Sequence, residues 1–249
     1  MITRLKILLT LSILVLATNA CIPRLVRRTT PEPSSQTQIT QEADLTPFNE
    51  IDIEAAGRIF LVQGTSNSIK IEGLQSVVDD ISYKVSNGAL VITHTNRIWG
   101  WISDRDFPTI TITFENLNQF KMQGGTELVA NNLKTDSLTM IMEGGASVQM
   151  ENLEVDTLNL KLEGGLDFNV DGSAHNQIIH FQGGVNYDAG DLKSNSIELK
   201  LEGAGSATIW ATESLDLDLS GAYNVNYYGN PNLNQNIQGV GNVESLGEK

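Results

Sequence analysis

Cysteine is almost absent: Cys21 is the only one in 249 residues. No internal disulfide can form, and no cysteine is left for nucleophilic work. Histidine is nearly as scarce. His94, His175 and His180 fall in different segments and show no metal-ligand spacing. Lysine and arginine number 16 against 30 aspartates and glutamates, for a net charge of −14. Such a balance argues against a nucleic-acid partner and against electrostatic docking on anionic lipid. No long stretch keeps a helical period. The one long apolar run, residues 7–17, is too short to cross a bilayer as a mature helix. Aromatic residues make up only 6%, so two tryptophans in one short segment, Trp99 and Trp101, stand out.

What is present begins with a leader. Arg4 and Lys6 precede the apolar run, and Ala20 is a small residue before Cys21. This pattern predicts a secretion signal over residues 1–20. Leu16-Ala17-Thr18-Asn19-Ala20-Cys21 resembles the bacterial lipobox, although Thr18 stands where leucine is usual. The resemblance implies a diacylglycerol on the Cys21 thiol and a membrane anchor. The alternative is ordinary cleavage after Ala20. Residues 21–47, rich in Pro, Thr, Ser and Gln, read as the anchor cysteine followed by a flexible tether. Its charges balance, with Arg24, Arg27 and Arg28 against Glu32, Glu42 and Asp44, so the acidic excess lies on residues 48–249.

Down that part runs a repeat. Its marks are Gly124-Gly125, Gly144-Gly145, Gly164-Gly165, Gly183-Gly184, Gly203-Ala204, Gly221-Ala222 and Gly239-Val240, at spacings of 20, 20, 19, 20, 18 and 18. Before the glycine, apolar residues alternate: Leu138, Met140, Met142; Leu158, Leu160, Leu162; Ile197, Leu199, Leu201; Leu215, Leu217, Leu219. After it the alternation resumes, as at Phe168 and Val170. Period 2 is that of a strand with one buried face. Each unit therefore reads as strand, glycine corner, strand. The simplest fold is all-β: a parallel β-solenoid with rungs of about 19 residues, like residues stacked about 4.8 Å apart. A leucine-rich repeat fits less well, because its asparagine is missing. A β-sandwich of hairpins would not explain in-phase columns over seven units. Residues 48–118 are less regular, with a turn at Asn87-Gly88, and read as irregular first rungs or a cap.

Three outward features carry the functional expectations. The residue before each glycine gives an acid-rich column, Gln123, Glu143, Glu163, Gln182, Glu202, Ser220 and Gln238. Lys121, Lys161 and Lys200 lie two residues earlier on the same face. The column either takes a calcium ion or forms a solvated ion-pair face. Three residues after the glycine stand Glu127, Ser147, Asp167, Asn186, Ser206, Asn224 and Asn242. Polar in every unit, they make either a hydrogen-bonding strip for a glycan or another extended polymer, or an ordinary outer face. Trp99 and Trp101 either offer an aromatic contact surface or fold back to plug the cap.

Phe48-x-x-Ile51-x-Ile53 before Gly57, then Asn87-Gly88-x-Leu90-x-Ile92, then units such as Glu143-Gly144-Gly145-Ala146-Ser147, Gly184-Val185-Asn186 and Ser220-Gly221-Ala222-Tyr223-Asn224 form an ordered set. It resembles the head GIN domain family of auto-transporter adhesins over residues 48–249. The resemblance implies a secreted or envelope-anchored β-solenoid with an adhesive role and brings no catalytic residues. The sequence thus predicts a membrane-anchored, extracytoplasmic binding module without catalytic residues, metal or cofactor. Its partners would be a glycan or a cell-surface protein, and its contact residues Trp99, Trp101, Asp167, Asn186, Asn224 and Asn242. An envelope scaffold for proteins of the same cell, or a polysaccharide-active enzyme, are the alternatives.

Overall fold

A computed structural model of the protein describes residues 37–94 and 107–249. The signal segment, Cys21 and the Trp99–Trp101 segment lie outside these residues. The strands are β1 (Gln38–Asp44), β2 (Glu50–Glu54), β3 (Gly57–Gln63), β4 (Ser68–Leu74), β5 (Ile81–Ser86), β6 (Ala89–His94), β7 (Thr109–Phe114), β8 (Gln119–Asn131), β9 (Lys134–Tyr228) and β10 (Asn232–Gly247). One short helix, α1 (Gln75–Val78), interrupts them. The fold is all-β, with its strands in a single curled, open sheet.

β9 is continuous over 95 residues. Drawn straight, it would be roughly 310 Å long. It bends instead at glycines with positive φ: Gly144 (121°), Gly164 (123°), Gly183 (110°), Gly203 (129°) and Gly221 (109°). Asn132, Asn152 and Gly172, also at positive φ, mark bends on the return side. β8 pairs in parallel with β9, from Gln119 opposite Thr139 to Asn131 opposite Glu151, a constant offset of 20 residues. β10 pairs in parallel with β9 from Asn232 opposite Ser214, an offset of 18. These offsets equal the glycine spacings at the two ends of the repeat.

The alternating apolar residues point inward. Leu160, Leu199 and Leu217 are all buried, as are Phe168, Phe181 and Ile209. Removing these side chains from water is the main force holding the curled sheet, at about 1.5–3 kcal/mol each. The ring of Tyr187 packs edge-on between Phe168 and Phe181, with centroids at 5.7 and 5.5 Å. Burial pushes the Tyr187 hydroxyl far above its ordinary pKa, so it stays protonated. It donates to Gln177 Oε1 at 2.7 Å, and Gln177 Nε2 donates to Ser194 Oγ at 2.6 Å. All three are buried, and this chain satisfies polar atoms that would otherwise be costly.

The N-terminal third differs from expectation at its start. The tether, expected to reach residue 47, ends earlier. Gln38–Asp44 forms β1, paired antiparallel with β4 from Gln38 opposite Leu74 to Asp44 opposite Ser68. Ile39 and Ala43 pack against the core from this strand. A sparsely apolar segment is ordered here by an existing sheet edge that supplies the hydrogen bonds.

The strands that come early in the sequence do not follow one another in order across the sheet. β2 lies in parallel between β6 and β8, and β3 between β7 and β8. The end beyond β6 and β7 is covered by antiparallel strands, β5 on β6 and β4 on β7. The Asn87-Gly88 turn, both residues at positive φ, closes the β5–β6 hairpin as expected.

Candidate functional site

The glycine corners form two columns with different physics. At the first, from Gly144 onward, a Cβ has no room. On Gly183 or Gly203 it would lie 2.6 Å from the carbonyl oxygen of the first glycine one unit earlier, and on Gly164 closer still to that of Gly144. With φ also positive, these sites require glycine.

The second column is unlike this. A Cβ on Gly125 or Gly165 would meet nothing within 4 Å, and on Gly145 or Gly184 only a carbonyl oxygen at 3.9 Å. None of the four has a positive φ. The chain leaves bare backbone at the surface where neither space nor conformation asks for it.

Over two of these glycines, Gly165 and Gly184, lies a shallow hollow of about 570 Å³. Gly165, Gly184 and Ala204 form its floor, and Asp167, Asn186 and Ser206 line one side. That side is a hydrogen-bonded ladder. Asn186 Nδ2 donates to Asp167 Oδ1 at 2.8 Å, and Ser206 Oγ donates to Asn186 Oδ1 at 2.6 Å. The structure thus brings together two of the sequence-predicted contact residues, Asp167 and Asn186, with Ser206. Asn224 and Asn242 face each other in register two units on, where Asn242 donates to Glu244 in its own strand at 3.3 Å. At the other end of the column Glu127 takes a hydrogen bond from Arg58 at 3.1 Å.

The column before the glycines is an ion-pair face. Lys161 Nζ lies 2.9 Å from Glu163, and Lys200 Nζ 2.7 Å from Glu202. Gln123 donates to Glu143 at 3.1 Å and Gln182 to Glu202 at 3.0 Å. The Lys200 ammonium, helped by the Gln182 amide, holds the Glu202 carboxyl at about 2, well below its ordinary value. The partnered glutamates raise Lys161 and Lys200. His180 stands 3.7 Å from Glu202. Lysines and amides therefore meet the stacked acids. Among the described residues, no group of three or more His, Cys, Asp or Glu side chains is arranged to hold a metal ion.

Trp99 and Trp101 fall in residues 95–106, outside the described residues. The flanks of that segment are placed, however. Thr93 is opposite Glu54 and Thr109 opposite Arg58, the residues that bracket the Ala55-Ala56 corner of β2–β3. Gly124 lies over that corner, 3.9 Å from the Ala55 carbonyl oxygen to a Cβ placed on it.

Two features escaped the sequence. Trp210 and Tyr228 flank the Lys249 ammonium, 5.4 and 4.7 Å from their ring centroids. That ammonium also donates to the Gly190 carbonyl at 2.7 Å and to Asp191. A larger hollow of about 930 Å³ opens on the return side, among Asn49, Glu50, Asn67, Asn118, Gln119 and Lys134. Residues far apart in sequence make both, and no periodicity announces them.

Residues 47–231 match the family model described as "Putative auto-transporter adhesin, head GIN domain". The chain belongs to that head GIN domain family. No curated protein matches. A solved structure of an adhesin of this kind from Bacteroides fragilis is 29% identical, with a TM-score of 0.79, over 85% of this chain and 98% of that one. A protein from Parabacteroides distasonis described as lipid binding is 16% identical, with a TM-score of 0.64 over the same shares. An adhesin from that organism is 18% identical with a TM-score of 0.63, again over 85% and 98%. At such identities these last two share the fold with the head GIN chain and no more. The family description is that of an adhesin, not an enzyme, which fits a surface location and an adhesion-like role.

Proposed function

We propose that this chain is an extracytoplasmic adhesion module, anchored through lipid on Cys21, whose folded part winds as a parallel β-solenoid of about 19-residue rungs. The parallel offsets of 20 and 18 residues, together with each corner glycine seated over the last, support the winding. The glycine floor with its Asp167–Asn186–Ser206 ladder is the contact surface, and the ligand is an extended, hydroxyl-rich polymer such as a glycan.

One observation carries this reading: the second-column glycines stay bare although a side chain would fit. Glycine at such a place lets another chain approach the backbone closely. The amide, carboxylate and hydroxyl of the ladder supply both donors and acceptors at a repeating interval. Trp99 and Trp101 would add aromatic faces that suit sugar rings. The acidic surface favours a neutral or basic ligand over nucleic acid.

The test fills the floor. Gly165→Leu with Gly184→Leu should abolish retention on glycan arrays and whole cells while the thermal midpoint stays near that of the parent chain. Undiminished binding would remove the groove from consideration. Trp99→Ala with Trp101→Ala should weaken the same binding with the fold intact. Lost stability with acrylamide-shielded indoles would mark the pair as a plug.

A further inference from the structure

Among the described residues β10 pairs with β9 on one side only, so its other edge carries unpaired backbone groups over 16 residues. Edges of this kind recruit further strands unless something blocks them. The usual blocks are missing. β10 has no proline and no lysine, and Glu244 is its only charged residue. Its inward column is also uncovered. Leu215, Leu219 and Val225 of the preceding unit are buried, but their counterparts Leu233, Ile237 and Val243 are not. Five large apolar side chains are exposed among the described residues, and three of them, Ile237, Val240 and Leu246, lie on β10. At the other end of the sheet the edges are β1 and β5, only 7 and 6 residues long, with Glu42, Asp44 and Lys84 on them.

We propose that two copies of this chain join edge to edge through β10, antiparallel, about a two-fold axis at the Gly239 corner. The strand is complementary to itself in that register. Inward residues meet inward residues, because residue numbers in each pair sum to an even total. Ile237 falls opposite Gly241, which offers it space, and Gln235 opposite Val243. Among the outward residues Asn236 faces Asn242, so amide meets amide. Glu244 faces Asn234, so the only acid of the strand meets a donor and not its own copy.

The preceding unit could not do this. It carries Asp216 and Asp218 where β10 has Asn234 and Asn236, and those amides already donate to the aspartates at 3.0 Å. For a chain with a net charge of −14, this charge-poor edge is where two copies meet with least repulsion. A head-to-tail contact would instead set a 16-residue edge against strands of 6 or 7, so the closed two-fold pair is the better match.

Light scattering on the purified chain across a dilution series should show a dimer that dissociates on dilution. Hydrogen exchange should slow at β10 amides in the concentrated sample and nowhere else. Val240→Lys would set two lysines on diagonal positions across the axis, their Cβ atoms roughly 7 Å apart. It should weaken association by about tenfold or more, with an unchanged thermal midpoint, while Val240→Thr associates like the parent. A chain that stays monomeric up to its solubility limit overturns the proposal. So does a dimer without β10 protection, which would place the interface elsewhere. The exchange measurement decides even if Val240→Lys fails to fold.

Discussion

Lys200 and Glu202 stand two residues apart on one strand and meet at 2.7 Å on its outer face. Period 2 puts them on the same side, and Asp218, one unit on, adds a weaker attraction for the same ammonium. The pair lowers the Glu202 carboxyl from 4.5 to about 2, first through the Lys200 hydrogen bond and then through that of Gln182.

The sign of the pH effect follows. A lowered carboxyl stabilises the fold above its unfolded value of 4.5, and this contribution is lost as pH falls through about 2. Side-chain carboxyl NMR should find Glu202 titrating near 2, and Lys200→Met should move the midpoint back up toward 4.5. A midpoint at the ordinary value in the parent chain would break the pairing. The side chains are exposed, so the effect on stability will be small.

The two glycines of one corner should behave oppositely. Gly164→Val forces a side chain into a positive φ and against the Gly144 carbonyl, and should cost about 1–3 kcal/mol or more. Gly165→Val, with nothing within reach, should leave the denaturation midpoint almost unchanged. Equal losses at both positions would show that the corners are read wrongly.

Tyr187→Phe keeps the ring packing and deletes one hydroxyl. It leaves Gln177 Oε1 buried without its donor, so chemical denaturation should show a loss of about 1–3 kcal/mol. A neutral outcome would mean that water reaches the site.

Cys21→Ser tests the anchor. The variant should leave the membrane fraction, or fail to mature, while the parent chain stays membrane-bound. Normal maturation with unchanged membrane association would refute lipidation.

The parts legible in the sequence are those with a local period. The inward residues around Leu160, Leu199 and Leu217 and the positive-φ glycines at Gly144 and Gly164 could be placed because each unit repeats them. β1 could not, since its order comes from β4 some thirty residues on and not from its own pattern. The Tyr187–Gln177–Ser194 chain and the Lys249–Trp210 contact join residues that no motif links. The site was half legible. Its polar column was visible, but only coordinates separate a glycine that must be glycine from one that need not be. Gly164 and Gly165 look alike in a sequence.

The position of β2 and β3 between other strands has a consequence for how the chain assembles. Glu50 pairs with Ala89 and with Gln119, 39 and 69 residues further along, so β2 stays unpaired on both sides until distant segments arrive. Closing those loops is the slow part of folding. Once β8 is in place, it offers β9 a template at a constant offset of 20 residues. The first eighty or so described residues, through β8, set the rate, and the rest should follow like a zip closing from a single start.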